Sequence, residues 1–444
     1  MKKWLPIIIF AIILIIFAGY ATSFFYTSSS NQKDQGNERK ILNPIKLTFW
    51  RNFGNQAENK SYKELVSAFE KSHPNIMIEM QSIPYSDYEI RLRTQIADEK
   101  PPDIMAIDSP NLALYANTGS LLSIDYYMRK EGRIEDIPKS TLNGLTFNGE
   151  IYLAPIVESG IALFYNKHLF EEAAIPFPSD DPNKPLTWDQ VLNIAKKINK
   201  PEKGVYGIDP AQGFNDGESP AYFKMPLLWQ FGAEAISADG TTASGYLDSK
   251  ESVEALQFYQ DLYHKYGVAA VELPPDSFVS GKLAMTVLGS WTLADLEKNY
   301  PKFKLGEDFG VAPLPKEKYQ VVPNGGWSLG ISSKTKYPKD AWEFIKYVTS
   351  YEGIKKYVKE TGDIPARYSV AKDFPDLNQY PKDIFLQQAQ KYSMNRPVTP
   401  AYPVVSDAIK TLFEEVGIGG KDVRTSAEEA VEKINTGLKQ ILKP

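Results

Sequence analysis

The chemistry open to this chain is set by two carboxylates, two tryptophans and a missing residue type. Asp108 closes the apolar run Pro102-Asp-Ile-Met-Ala-Ile-Asp108. Glu158 interrupts a longer one, Ile151-Tyr-Leu-Ala-Pro-Ile-Val-Glu-Ser-Gly-Ile-Ala-Leu-Phe-Tyr-Asn-Lys167. A glycoside hydrolase would need such a pair about 5–10 Å apart across a cleft, but no motif places them so, and surface hydration or helix capping accounts for each equally well. Cysteine is absent, which excludes disulfides, thiolate metal sites, cysteine catalysis and a lipid-modified cysteine. The three histidines, His73, His168 and His264, show no metal-ligand spacing, and His73 and His168 read as surface residues. Trp291 follows Gly289-Ser290 and Trp327 follows Gly325-Gly326. The glycines free backbone space beside these rings, and neither tryptophan falls on a helical core stripe, whereas Trp229 and Trp342 do. Aromatic faces suit the C–H surface of a sugar, and hydroxyls left unpaired on burial cost roughly 1–3 kcal/mol each, which calls for polar partners.

The 444 residues leave room for two to three bodies of ordinary domain size. A composition of 43% apolar and 24% charged residues with net charge −5 is that of a globular protein and argues against a nucleic-acid binder. Tyr, Phe and Trp number 26, 22 and 7, an aromatic excess that serves core and sugar faces alike. Residues 1–26 stand apart. Lys2 and Lys3 precede an uncharged apolar run from Leu5 to Ala18, and Gly19 and Ala21 offer a small-residue cleavage pattern. The segment reads as a signal peptide or, uncleaved through Phe24-Phe25-Tyr26, as a membrane anchor with its lysines in the cytoplasm. Residues 27–44 read as a flexible linker. Either way the bulk of the chain is expected outside the cell.

The positioning elements alternate between strand and helix. Lys46 to Trp50 reads as a strand, followed by the polar loop Arg51-Asn-Phe-Gly-Asn-Gln-Ala-Glu58 and a helix with Tyr62, Leu65, Val66 and Phe69 on one face. Ile76 to Gln81 and Pro102 to Asp108 are further strands, with a helix from Tyr88 to Ala97 between them. The order predicts an α/β body with a largely parallel sheet, in which ligands bind beyond the carboxyl ends of strands. Trp50 to Gln56 and Asp108 sit at such ends. The Ile151–Lys167 stretch reads as a crossing from one packed body to another, although an ordinary strand pair with a polar turn fits the same residues. Thr187-Trp-Asp-Gln190 forms a capping box, Lys250 to Tyr266 an amphipathic helix, Phe309 to Pro315 a return crossing, and Thr361 to Arg367 a third. Helices are expected over 380–391, 402–416 and 426–442.

Several stretches together resemble the extracellular solute-binding proteins of ABC importers, in the carbohydrate-binding family that includes maltose-binding protein. They are Phe69-Glu-Lys-Ser-His-Pro-Asn-Ile, Pro102-Asp-Ile, Ala154-Pro-Ile-Val-Glu with Phe164-Tyr-Asn-Lys, Thr187-Trp-Asp, Gly281-Lys-Leu-Ala-Met with Gly289-Ser-Trp, and Gly325-Gly. The resemblance covers about residues 45–444 and rests on order and spacing. It implies a two-lobed periplasmic-binding-protein-like α/β fold with crossover hinge strands. Lobe one would be 45–156 plus 312–365, and lobe two 157–311 plus 366–444. It carries over a ligand-binding set of Trp50, Asn52, Gln56, Asp108, Glu158, Tyr222, Trp291, Trp327, Arg367 and Tyr402. It also implies a monomer without enzymatic activity, cofactor or metal, whose partners are a carbohydrate, the permease subunits of an importer and, through an uncleaved N-terminal segment, the membrane. A non-sugar solute (polyamine, anion or metal chelate) in the same fold, or a secreted glycoside hydrolase, are the alternatives.

Overall fold

Alternation of core-facing and outward residues in Leu47-Thr48-Phe49 and Ile76-Met77-Ile78 builds the first sheet of this protein, seen in a computed structural model. The structure describes residues 44–210 and 217–441. The expected leader, the linker and the start of the Asp216 loop lie outside that range. Strands Ile45–Asn52, Ile76–Ile83 and Ile104–Asp108 run parallel. Strand Trp327–Ser332 then joins antiparallel, placing Trp327 directly opposite Asp108. Short strands Leu121–Leu122 and Leu153–Pro155 also pair with it. The sheet is therefore mixed, parallel only in its first three strands.

The second sheet has the order Tyr206–Asp209, Leu283–Gly289, Ile161–Asn166, Phe309–Ala312. Period-two geometry divides the Ile161–Asn166 strand between two cores. Ile161, Leu163 and Tyr165 face the larger one, with the helices Ser219–Phe231, Lys250–His264, Tyr402–Phe413 and Val423–Ile441. Ala162 and Phe164 face a smaller one with Phe309, Val311 and Phe385. The helix Trp188–Ile198 starts at the expected capping box, with Thr187 and Gln190 bonded reciprocally. The expected return crossing at 309–315 is not one. Phe309 stacks on Phe164 with centroids 6.2 Å apart, and Val311 pairs with Phe164, so this segment is an edge strand of the second sheet.

Leu314 and Val322 are buried in the second core and Leu329 in the first, so the chain returns near Gly325, later than position 312. Three crossings lie side by side. Val157–Glu158 pairs antiparallel with Ile364–Pro365, and Ser159 bridges Gly325. The packing needs glycine here. Gly326 has φ +141°, and a Cβ on it would lie 2.3 Å from the Val157 carbonyl oxygen. After the third crossing the chain does not stay with the second lobe, because Val370 is buried in the first core.

Candidate functional site

A cavity of about 450 Å³ opens between the two sheets, within the range of about 300–1,000 Å³ usual for small-ligand pockets. Asn52, Phe53, Asn55, Glu58, Tyr85, Asp108 and Trp327 line it from the first lobe; Ser219, Tyr222, Phe223, Trp291, Asp295 and Arg396 line it from the second. The hinge ribbon supplies Val157, Glu158, Ser159 and Gly326. The parallel strands deliver their loops to one edge, so Asn52 and Asp108 arrive together.

Each lobe contributes one half-buried tryptophan to this cavity. The Trp291 ring folds over Gly289, where a Cβ would lie 2.3 Å from it, and packs 6.1 Å from both Tyr222 and Phe223. Trp327 is held edge-on by Tyr88 at 5.5 Å and Tyr85 at 6.2 Å. Trp229 and Trp342, by contrast, are buried in separate cores.

A buried ion network joins the lobes. Arg396 Nη2 donates to Asp108 Oδ1 at 2.8 Å and Nη1 to Asp108 Oδ2 at 3.2 Å, a two-pronged pairing with the first lobe. The same Nη1 reaches Glu218 Oε1 of the second lobe at 2.8 Å. Glu218 also accepts from Ser406 Oγ at 2.6 Å and from the Tyr402 hydroxyl. The remaining acids hold their protons more tightly than free carboxyls do. Burial pushes Glu158 up to about 8 against the opposing hydrogen bond from Thr141. Burial, with Glu58 nearby, pushes Asp363 up to about 7. Burial also raises Asp295 and, against the pull of Arg51, Glu58. A protonated carboxyl donates as well as accepts, which matches a ligand whose hydroxyls do both. Among the described residues no group of His, Asp and Glu is arranged to hold a metal ion.

Of the ten sequence-derived candidates, Asn52, Asp108, Glu158, Tyr222, Trp291 and Trp327 line this one cavity. Four do not. Trp50 packs on the first core, two residues short of the strand end, which at about 3.3 Å per residue leaves it below the cavity. Gln56 is exposed on a neighbouring groove. Arg367 turns away from the cavity. Its Nε donates to the Thr349 carbonyl at 2.7 Å and its Nη2 to that of Gly132 at 2.8 Å. Tyr402 is fully buried one layer behind the cavity, where it supports Glu218.

Sequence reasoning missed Phe53, Asn55, Glu58, Tyr85, Ser159, Ser219, Phe223, Asp295, Asp363 and Arg396. Some carried a signal. Phe53 and Asn55 lie in the polar loop already marked as a strand end, and Asp295 is four residues after Trp291, on the same helical face. Arg396 carried none, because its place depends on the pairing of Ser393–Met394 with Val322–Pro323.

Known proteins share this fold. Residues 54–355 match the family model of bacterial extracellular solute-binding proteins. The maltotriose-binding protein of Pyrococcus abyssi is 25% identical over 397 residues, covering 87% of this chain and 80% of that protein. The maltodextrin-binding protein MdxE of Bacillus subtilis is 25% identical over 356 residues, covering 76% of this chain and 78% of its own. Among solved structures, an ABC transporter solute-binding protein from Thermotoga lettingae bound with α-D-tagatose superimposes with a TM-score of 0.78 at 26% identity, covering 89% of this chain and 100% of that one. The chain belongs to the family of bacterial extracellular solute-binding proteins.

Proposed function

We propose that this protein captures a sugar or oligosaccharide between its lobes, without altering it, and delivers it to the permease subunits of an ABC importer. The observation that carries the reading is the cavity itself. One tryptophan from each lobe and a mixed set of amide, hydroxyl and carboxyl groups surround a single space astride the hinge ribbon. A ligand contacting both walls favours the closed arrangement by its differential affinity, and the hinge converts that into lobe closure. The names of relatives, which include maltotriose- and maltodextrin-binding proteins, support the same ligand class. Capture without chemistry fits the carboxylates: Asp108 is held two-pronged by Arg396 and Glu158 is bonded by Thr141, so neither stands free as half of a hydrolytic pair. The protein would act as a monomer on the outer face of the membrane, tethered by its N-terminal segment where that is not cleaved.

Thermal-shift measurement against a carbohydrate panel tests this. A sugar at about 100 times its dissociation constant adds roughly 2.7 kcal/mol of apparent stability. Silence across sugars with a response to polyamines or anions would overturn the ligand class.

A further inference from the structure

Outside the cavity lies a second, larger groove of about 840 Å³, and the two share Phe53 and Asp295 as common wall. Phe53 is 58% exposed, and among the described residues the next most exposed phenylalanine or tryptophan is Phe177 at 40%. Its position is fixed rather than incidental. The Phe53 N–H donates to the Ile83 carbonyl at 2.6 Å, Asn59 Nδ2 donates to the Gly54 carbonyl at 2.6 Å, and Asn55 caps the following helix. The loop therefore holds an aromatic ring in solvent at the mouth of the cavity, on a backbone with little freedom left to lose on binding.

From that mouth the groove follows the helix Gln56–Ser72. Gln56, Lys60, Lys63, Ser67 and Lys71 recur every three or four residues and all line it, a row about 22 Å long at about 1.5 Å per residue. The facing walls are the helix Thr292–Asn299, where Asp295 and Lys298 continue the line that begins inside the cavity at Trp291, and the helix Tyr351–Thr361, whose Glu360 accepts from Lys60 Nζ at 2.7 Å. Amide and hydroxyl groups on the Gln56–Ser72 helix, with ammonium and carboxylate groups on every wall, offer the donors and acceptors that a neutral polyhydroxyl chain leaving the cavity needs.

We infer that this groove is an outer subsite: the cavity holds one end of an oligosaccharide, Phe53 stacks on a unit at the mouth, and further units lie along the Gln56–Ser72 helix. The inference rests on the sugar reading above and sharpens it to a ligand longer than the cavity alone takes.

The test is titration calorimetry of the full chain, in a detergent without a sugar headgroup, against linear α-1,4-glucans and β-1,4-mannans from di- to hexasaccharide. Affinity in at least one series is expected to rise about tenfold between disaccharide and the longer members, a gain of the size one stacked ring contributes. Phe53→Ala and, independently, Ser67→Trp, which fills the groove from an exposed helix position, are each expected to reduce the ratio of long- to short-chain affinity about fivefold or more. Affinity that is flat beyond the disaccharide, or a ratio unmoved by both variants, overturns the outer subsite while leaving the sugar reading intact. The second result assigns the groove to another occupant, such as a permease loop. Silence with every glycan overturns both.

Discussion

Two buried arginines flank the hinge ribbon, and they do different things. Arg367 is 4% exposed and Arg396 3%. Behind the ribbon, Arg367 donates to backbone carbonyls of Thr349, Gly132 and Arg133, all in the first lobe, and lies 3.7 Å from Asp136. In front of it, Arg396 donates to carboxylates from both lobes and lines the cavity. Residue type and burial are matched, so the partners decide the role. Carbonyls of one lobe make a brace, whereas carboxylates of two lobes make a tie whose integrity depends on how the lobes sit.

The sharpest way to break this contrast is Arg396→Ala. Asp108 and Glu218 would be left buried without their counter-charge, which costs about 3–5 kcal/mol. The unfolding free energy from denaturant titration should fall by that amount, and the sugar response should weaken with it. A loss under about 1 kcal/mol would mean that water already reaches the pair.

Between the two arginines sits Glu158, which lines both the front cavity and a smaller groove shared with Arg367. Burial raises its carboxyl from 4.5 to about 8. The folded protein therefore holds this proton more tightly than the unfolded chain. The stability it contributes is complete below about pH 4.5 and is lost as pH rises through about 8. Glu158→Gln should remove that part of the decline, on the order of 4 kcal/mol between about pH 5 and pH 9, visible as a difference in melting curves. Parallel curves for the two proteins would place the carboxylate in water.

Arg367→Ala carries the smallest expected effect, about 1.5–3 kcal/mol for charged hydrogen bonds to carbonyls. Sugar affinity of the folded protein should stay within about twofold of wild type, because no atom of Arg367 lines the cavity. A large affinity loss would make the brace part of the closing mechanism.

The same contrast explains what the sequence disclosed. The Ile151–Lys167 crossing was legible because a charged residue between two apolar runs is a local pattern, and it lies where the chain passes between cores. Trp291 and Trp327 were legible through their glycines, which the structure needs for close approach. Arg367 misled because it follows a real crossing at Ile364–Pro365, yet the chain has already turned into the first lobe by Val370. Phe309–Pro315 misled because an edge strand and a crossing share one composition. Arg396 was invisible: its position follows from a strand pair separated by about seventy residues, and no local pattern encodes that.

A sugar held between the lobes must touch both of them. Titration calorimetry of a bound sugar against wild type, Trp291→Ala and Trp327→Ala tests it directly, since each ring belongs to a different lobe. Each variant is expected to lose at least about tenfold in affinity, with ligand-free melting within a few degrees of wild type. Wild-type affinity in either variant, or early melting of the unliganded protein, would contradict it.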